Sequence, residues 1–194
     1  MAPPDPGPGG VRTRTGHSPA VIATAVALPV ALLVGVVVAS VVAQRSPTAT
    51  PVALSSVPAP DSANPACAAL LAALPDPLSG AARATLADPA PAGAAAWTST
   101  EVNGEPIVLR CGIPRPDQFT ADAALVEVDR VKFLEIPGAP LGIAATTYVA
   151  VDRSAYIALT LPDGQGSGAL QELAGVIGAD LPANDLDPAP IAGS

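Results

Sequence analysis

From Ala20 to Ala43 the chain runs twenty-four residues, AVIATAVALPVALLVGVVVASVVA, without a charged side chain. A helix of that length reaches roughly 36 Å, beyond the roughly 30 Å of a bilayer's hydrocarbon core. Pro29 and Gly35 are compatible with this, since both are commoner in membrane helices than in soluble ones. The run predicts one N-terminal transmembrane helix over 20–43. A cleaved signal peptide is the competing reading, with Arg12 and Arg14 as its basic start and Val41-Val42-Ala43 as its small-residue site. Signal cores span about 7–15 residues, so the length favours a retained anchor. Cys67, the first cysteine, lies too far past the run for a lipoprotein signature. Arg12 and Arg14 precede the run and Arg45 follows it, a slight positive-inside preference for a cytoplasmic N-terminus.

Composition divides the rest. Residues 1–19, with the lone His17, are rich in Pro and Gly and read as a disordered cytoplasmic tail; residues 44–63 (Pro, Ser and Ala) read as an extended linker. Residues 182–194 are again loop-like, which leaves 64–181 as the folded unit. Charge follows the same division. Up to Arg45 the balance is +2, from three arginines and Asp5; from Ser46 onward sixteen acids face five arginines and Lys132, a balance of −10. A unit so acidic is poorly suited to polyanions, which need a cationic surface, and nucleic acid is excluded as a partner.

Within the unit, Asn64 can cap a helix and Pro65 suits its first position. Cys67, Leu70, Leu71 and Leu74 then share one face, and Pro75 closes the helix. Ser79–Leu86 reads as a second short helix and Asp88–Gly93 as a loop. Ile107–Cys111 alternates as a strand does. Further strands are expected over Leu125–Val128, Val131–Ile136, Thr146–Val151 and Tyr156–Leu161, with Asp152-Arg153-Ser154 as the turn between the last two. Ala169–Leu181 places Leu170, Leu173, Ala174, Ile177 and Leu181 on one helical face, although Gly175 and Gly178 weaken it. The order predicts an α+β domain, a mostly antiparallel sheet with helices on one face.

Cys67 and Cys111 are the two cysteines, and each falls on the apolar side of its element. As a disulfide they would clamp the first helix to the first strand. The alternative is a pair of inert buried thiols. Downstream of a membrane helix the disulfide is the more economical reading, and it belongs to an oxidising compartment. With no histidine in the unit, Ser–His, Cys–His and zinc schemes lack a base or ligand. Gly164-Gln165-Gly166-Ser167-Gly168-Ala169 imitates a dinucleotide fingerprint but lies too near the C-terminus for the βαβ unit that motif needs. Asp117, Asp122, Glu127, Asp129, Glu135 and Asp152 read as scattered surface acids, and Trp97 as core. No metal or cofactor is expected.

Several short runs carry a family resemblance: Cys67 with Leu70-Leu71 and Leu74-Pro75, Arg83, Ala95-Ala96-Trp97, Pro106 to Ile113 (PIVLRCGI), Arg115-Pro116, and Val151 to Ile157 (VDRSAYI). In these the chain resembles the actinobacterial membrane-anchored family known as domain of unknown function 3515, with Leu-Arg-Cys-Gly the most specific segment. Where that family has an Asn-Gly-Val turn and then a tryptophan, this chain has Asp129-Arg130-Val131 and Phe133. The resemblance implies location and architecture and brings no catalytic residues.

The expected function is therefore a non-enzymatic binding domain on the outer face of the cytoplasmic membrane, its partner an envelope protein or a cell-wall component. The other class considered is a hydrolase or transferase working on wall glycan through paired carboxylates. The candidate interaction patch is Arg110 and Arg115 with Arg83 or Arg153 nearby, cations able to read carboxylate or phosphate. Pairing with local acids is the plainer role for them. A reporter active only outside the cytoplasm, fused after Ser194, is expected to be active while an N-terminal tag is retained. A soluble exterior product without the tag would show cleavage after Ala43.

Overall fold

Asn64 starts the first helix in the way its side chain allows. Its Oδ1 accepts from the backbone N–H of Ala66 at 2.9 Å, and Pro65 fills the first turn, where no N–H is needed. The helix α1, Pro65–Ala73, buries Cys67 and Leu70. It belongs to a computed structural model that describes residues 50–99 and 105–190. The expected membrane helix over 20–43 and the tail over 1–19 lie outside the described residues. Among the described residues no helix is long and apolar enough to cross a membrane.

Seven strands follow: β1 (Ala82–Arg83), β2 (Ala94–Thr98), β3 (Ile107–Ile113), β4 (Leu125–Val128), β5 (Val131–Pro137), β6 (Ala145–Ala150) and β7 (Tyr156–Pro162). A short 3-10 turn, Ala139–Leu141, sits between β5 and β6, and helix α2 spans Gly168–Asp180. The strands form one antiparallel sheet in the order β1-β2-β3-β7-β6-β5-β4. The α+β expectation holds. Asp129 and Arg130 join β4 to β5 with φ of 47° and 63°, the left-handed pair of a tight hairpin.

Period-two alternation sorts the side chains. One face gathers Trp97, Ile107, Leu109, Cys111, Phe133, Ile157 and Leu159 into a core with Cys67 and Leu70 of α1 and Leu170, Leu173, Ala174 and Ile177 of α2. Both helices thus cover the same side. The opposite face holds a smaller cluster of Phe119, Leu134, Val149, Val151 and Ala158. Gly178 serves the first core: a Cβ there would stand 3.1 Å from the Asp129 carbonyl oxygen, so glycine lets α2 settle on the hairpin turn.

Three readings of the sequence change. Ser79–Leu86 is not helical. Leu78 and Ala81 exchange backbone hydrogen bonds at 2.9 Å around Ser79 and Gly80, whose φ of 48° and 83° cannot continue a helix. The chain then enters β1, where the Arg83 N–H donates to Asp76 Oδ1 at 2.9 Å. Second, Ala94–Thr98 is a strand that its alanines concealed. Third, the segments that read as linker and tail are held against the domain where they are described. Val52 donates to the Thr85 carbonyl and accepts from Ala87, and Asp61 donates to the Gly112 carbonyl. Asn184 donates to the Asp152 carbonyl, and Ala189 exchanges bonds with Phe119 and Ala121.

Cys67 and Cys111 are joined, with Cα atoms 5.5 Å apart and both residues fully buried. The bond closes 44 positions of chain, worth roughly 4 kcal/mol in the chain-entropy treatment. Chemical denaturation of Cys111→Ser is expected to lose about that much stability, and a variant as stable as the parent would show that the core alone holds α1.

Candidate functional site

The helix-free face of the sheet carries the most distinctive surface. Register places Val108 beside Thr160, Arg110 beside Ala158, Thr147 beside Thr160, Val149 beside Ala158 and Ile136 beside Thr147. All point away from the helices. The segment around Ala53–Val57 forms one wall over this floor, and Gly138–Ile143, between β5 and β6, forms another. Between them lies a cavity of about 400 Å³, lined by Leu54, Val57, Val108, Ile136, Leu141 and Ile143 among others. A second cavity of about 440 Å³ runs toward Ile113–Gln118. The two share Val57, Arg110, Ile136, Thr147 and Thr160, so they are compartments of one groove. Each falls in the size range of small-molecule sites, roughly 300–1,000 Å³.

Its rim is unusually apolar. Leu141 is 78% exposed, Ile143 53% and Val57 40%, and no charged residue occurs from Ile136 to Tyr148. Thr147 and Thr160 hydroxyls hydrogen-bond each other at 2.9 Å, so the polar atoms of the floor partly satisfy themselves. Arg110 is the exception. It lines both compartments, and its Nη2 donates to the Ser55 carbonyl at 2.8 Å. Among the described residues no carboxylate lies within ion-pair distance of it. A guanidinium has five N–H donors, so the bond to Ser55 leaves Arg110 with donor capacity to spare. Burial pulls its pKa below the usual arginine value, yet such a group stays cationic at neutral pH.

The other arginines separate. Arg115 borders the second compartment, but its Nη1 pairs with Asp187 Oδ2 at 3.0 Å and also donates to the Asp187 carbonyl. Asp187 receives the Tyr156 hydroxyl as well, at 3.3 Å. The Tyr156 pKa rises, chiefly through burial and next through the Asp187 charge, with Arg115 opposing. Arg83 sits on the helix-bearing face, its guanidinium carbon 4.9 Å from the centroid of the buried Trp97 ring, whose Nε1 donates to the Pro75 carbonyl. Arg153 is buried. Its Nη1 is 2.8 Å from Asp152 Oδ1 and donates to the Asp152 carbonyl, and its Nη2 reaches the Arg130 carbonyl. Asp152 Oδ2 in turn accepts from the Lys132 N–H. The four-arginine patch is therefore corrected to one groove cation, Arg110, with Arg115 at the margin. Arg83 and Arg153 are parts of the frame.

Carboxylates are sparse in the groove. Among the described residues the first compartment is lined by none and the second by Asp117. Asp122 accepts from Thr120 Oγ1, and Asp152 is committed to its ion pair. No group of three or more potential metal ligands occurs among the described residues. Sequence reasoning missed Val57, Leu141, Ile143, Thr147 and Thr160; the signal available was the long uncharged run around Leu141.

The two ion pairs differ in depth and should differ in weight. Asp152–Arg153 has side chains 6% and 2% exposed; Arg115–Asp187 has 39% and 84%. Removing one member of a buried pair costs about 3–5 kcal/mol, and exposed pairs are worth under about 1 kcal/mol. Thermal and urea unfolding should therefore find Arg153→Ala strongly destabilised and Arg115→Ala nearly unchanged. Equal effects would show that the buried pair is no structural anchor.

Comparisons with curated proteins and with solved structures find no match. A family model described as a protein of unknown function (DUF3515) matches residues 26–186, which takes in the sheet, both helices, the disulfide and every residue of the groove. The chain belongs to this family of unknown function, DUF3515.

Proposed function

We propose that this protein is a single-pass membrane protein whose disulfide-clamped domain stands on the outer face of the cytoplasmic membrane and acts there as a non-enzymatic binding module. The uncharged run over 20–43 supports the anchor, and the Cys67–Cys111 bond supports an oxidising compartment. The groove on the helix-free face is the binding surface, and its occupant is a component of the cell envelope. One observation carries this reading: Arg110 lines an apolar groove, where it donates to the Ser55 carbonyl and, among the described residues, has no carboxylate within ion-pair distance. From Ser46 onward the balance is −10; what sets Arg110 apart from the other cations without an ion pair is its place in an apolar groove lining, where a ligand anion would complete it. Paired-carboxylate catalysis finds less support, because among the described residues the groove lining offers Asp117 alone.

A photoreactive amino acid at Val57, on the rim, should trap a discrete adduct in envelopes of the native host. The same group at Ala68, an exposed position on α1, should trap none. Absence of any adduct at Val57, or equal capture at both positions, would remove the groove as the binding surface whatever the ligand.

A further inference from the structure

The chemistry of the groove narrows the class of its occupant, an identification that rests on the groove being the binding surface. The floor is sheet, whose N–H and C=O groups are spent in the β3–β7–β6–β5 ladders, and Thr147 and Thr160 bind each other. A peptide laid on such a floor would bring its own N–H and C=O groups out of water with few partners, each at a cost of roughly 1–3 kcal/mol. A hydrocarbon chain carries no such groups and gains from burial against Leu54, Val57, Val108, Ile136, Leu141 and Ile143.

The charged end is equally constrained. Two guanidiniums line the groove: Arg115 at the margin of the second compartment carries its own carboxylate, Asp187, and Arg110, common to both compartments, has none within ion-pair distance among the described residues. A dianionic phosphate would meet too little positive charge, whereas one carboxylate matches one guanidinium in charge and in planar two-point geometry. The net negative charge of the domain disfavours polyanions at long range. At contact distance the local cation outweighs charges farther than a Debye length, about 8 Å at physiological salt.

We infer that the groove binds a single-chain acyl carboxylate, a long-chain fatty acid, with its hydrocarbon tail under Leu141 and Ile143 and its carboxylate on Arg110. The uncharged rim gives the tail a way in without crossing a charged collar, and the Ser55 carbonyl holds the guanidinium in place.

The test uses the full-length chain in nanodiscs of zwitterionic phospholipid and palmitate bearing a diazirine near the end of its chain. Label should map to 53–57 and 136–147. Unlabelled palmitate should compete and palmityl alcohol, which lacks the charge, should not. Arg110→Gln should cut labelling roughly tenfold or more, the value of a hydrogen bond to a charged group, with the melting temperature retained. Ile143→Glu, at an exposed position, should also cut labelling and does not depend on Arg110→Gln folding. Label mapping elsewhere, equal competition by the alcohol, or full labelling of both variants would overturn the assignment. A peptide adduct at Val57 with no palmitate labelling would overturn the acyl ligand and leave the groove standing as a protein-binding surface.

Discussion

The clamp between Cys67 and Cys111 organises the domain because of where it enters the sheet. Strand β3 lies between β2 and β7, and the bond ties it to α1, which would otherwise have only nine residues with which to hold its place. So short a helix has little stability of its own. Pinned at Cys67, it buries Leu70 against Trp97 and the strands, and Trp97 reaches back to the Pro75 carbonyl at the end of the same helix. The residue after the clamp completes the arrangement. Gly112 has φ of 82°, and any Cβ there would overlap the Asp61–Ser62 peptide. The shift of register between Cys111 and Ile113 makes room for that chain to cross β3, where Asp61 donates to the Gly112 carbonyl.

One sheet thus has two unlike faces. The helix side is closed, with Trp97, Phe133, Leu70 and Leu173 fully buried in one cluster. The other side is covered by irregular chain from both ends of the domain, so that packing is complete around Phe119 and Tyr156, whose rings meet edge to face at 6.2 Å, and incomplete around Arg110. An apolar surface of this kind facing water normally has an occupant. There Arg110 donates to the Ser55 carbonyl and, among the described residues, has no carboxylate within ion-pair distance.

Much of the frame was legible in the sequence. Asn64-Pro65 announced α1, and the alternation of Ile107, Leu109 and Cys111 announced β3; the inward side of each set the cysteines toward each other. Alanine hid β2, because Ala94-Ala95-Ala96 has neither the branching nor the bulk that marks a strand, and only contact with β3 decides its state. Ser79-Gly80 looked like the start of a helix until the backbone took a left-handed path. The groove was harder still. Arg110 could be singled out as a cation facing away from the core, but whether an arginine has an acid beside it is a matter of tertiary neighbours. Arg115 and Arg153 found theirs, at Asp187 and Asp152, and among the described residues Arg110 did not.

The docked flanks carry a consequence for how this family can vary. Segments rich in Pro, Ser and Ala usually drift in length, because an extended tether works at many lengths. Here Val52, Ser55 and Asp61 are each engaged, with Thr85 and Ala87, with Arg110, and with Gly112. Their spacing is fixed by the distances between those partners. A single residue inserted between Ser55 and Asp61 would move one wall of the groove relative to its floor, so low complexity in composition coexists with a strict count of residues. Relatives that share the groove should therefore show insertions and deletions before residue 50 and none between Val52 and Asp61, however freely the letters in between are exchanged.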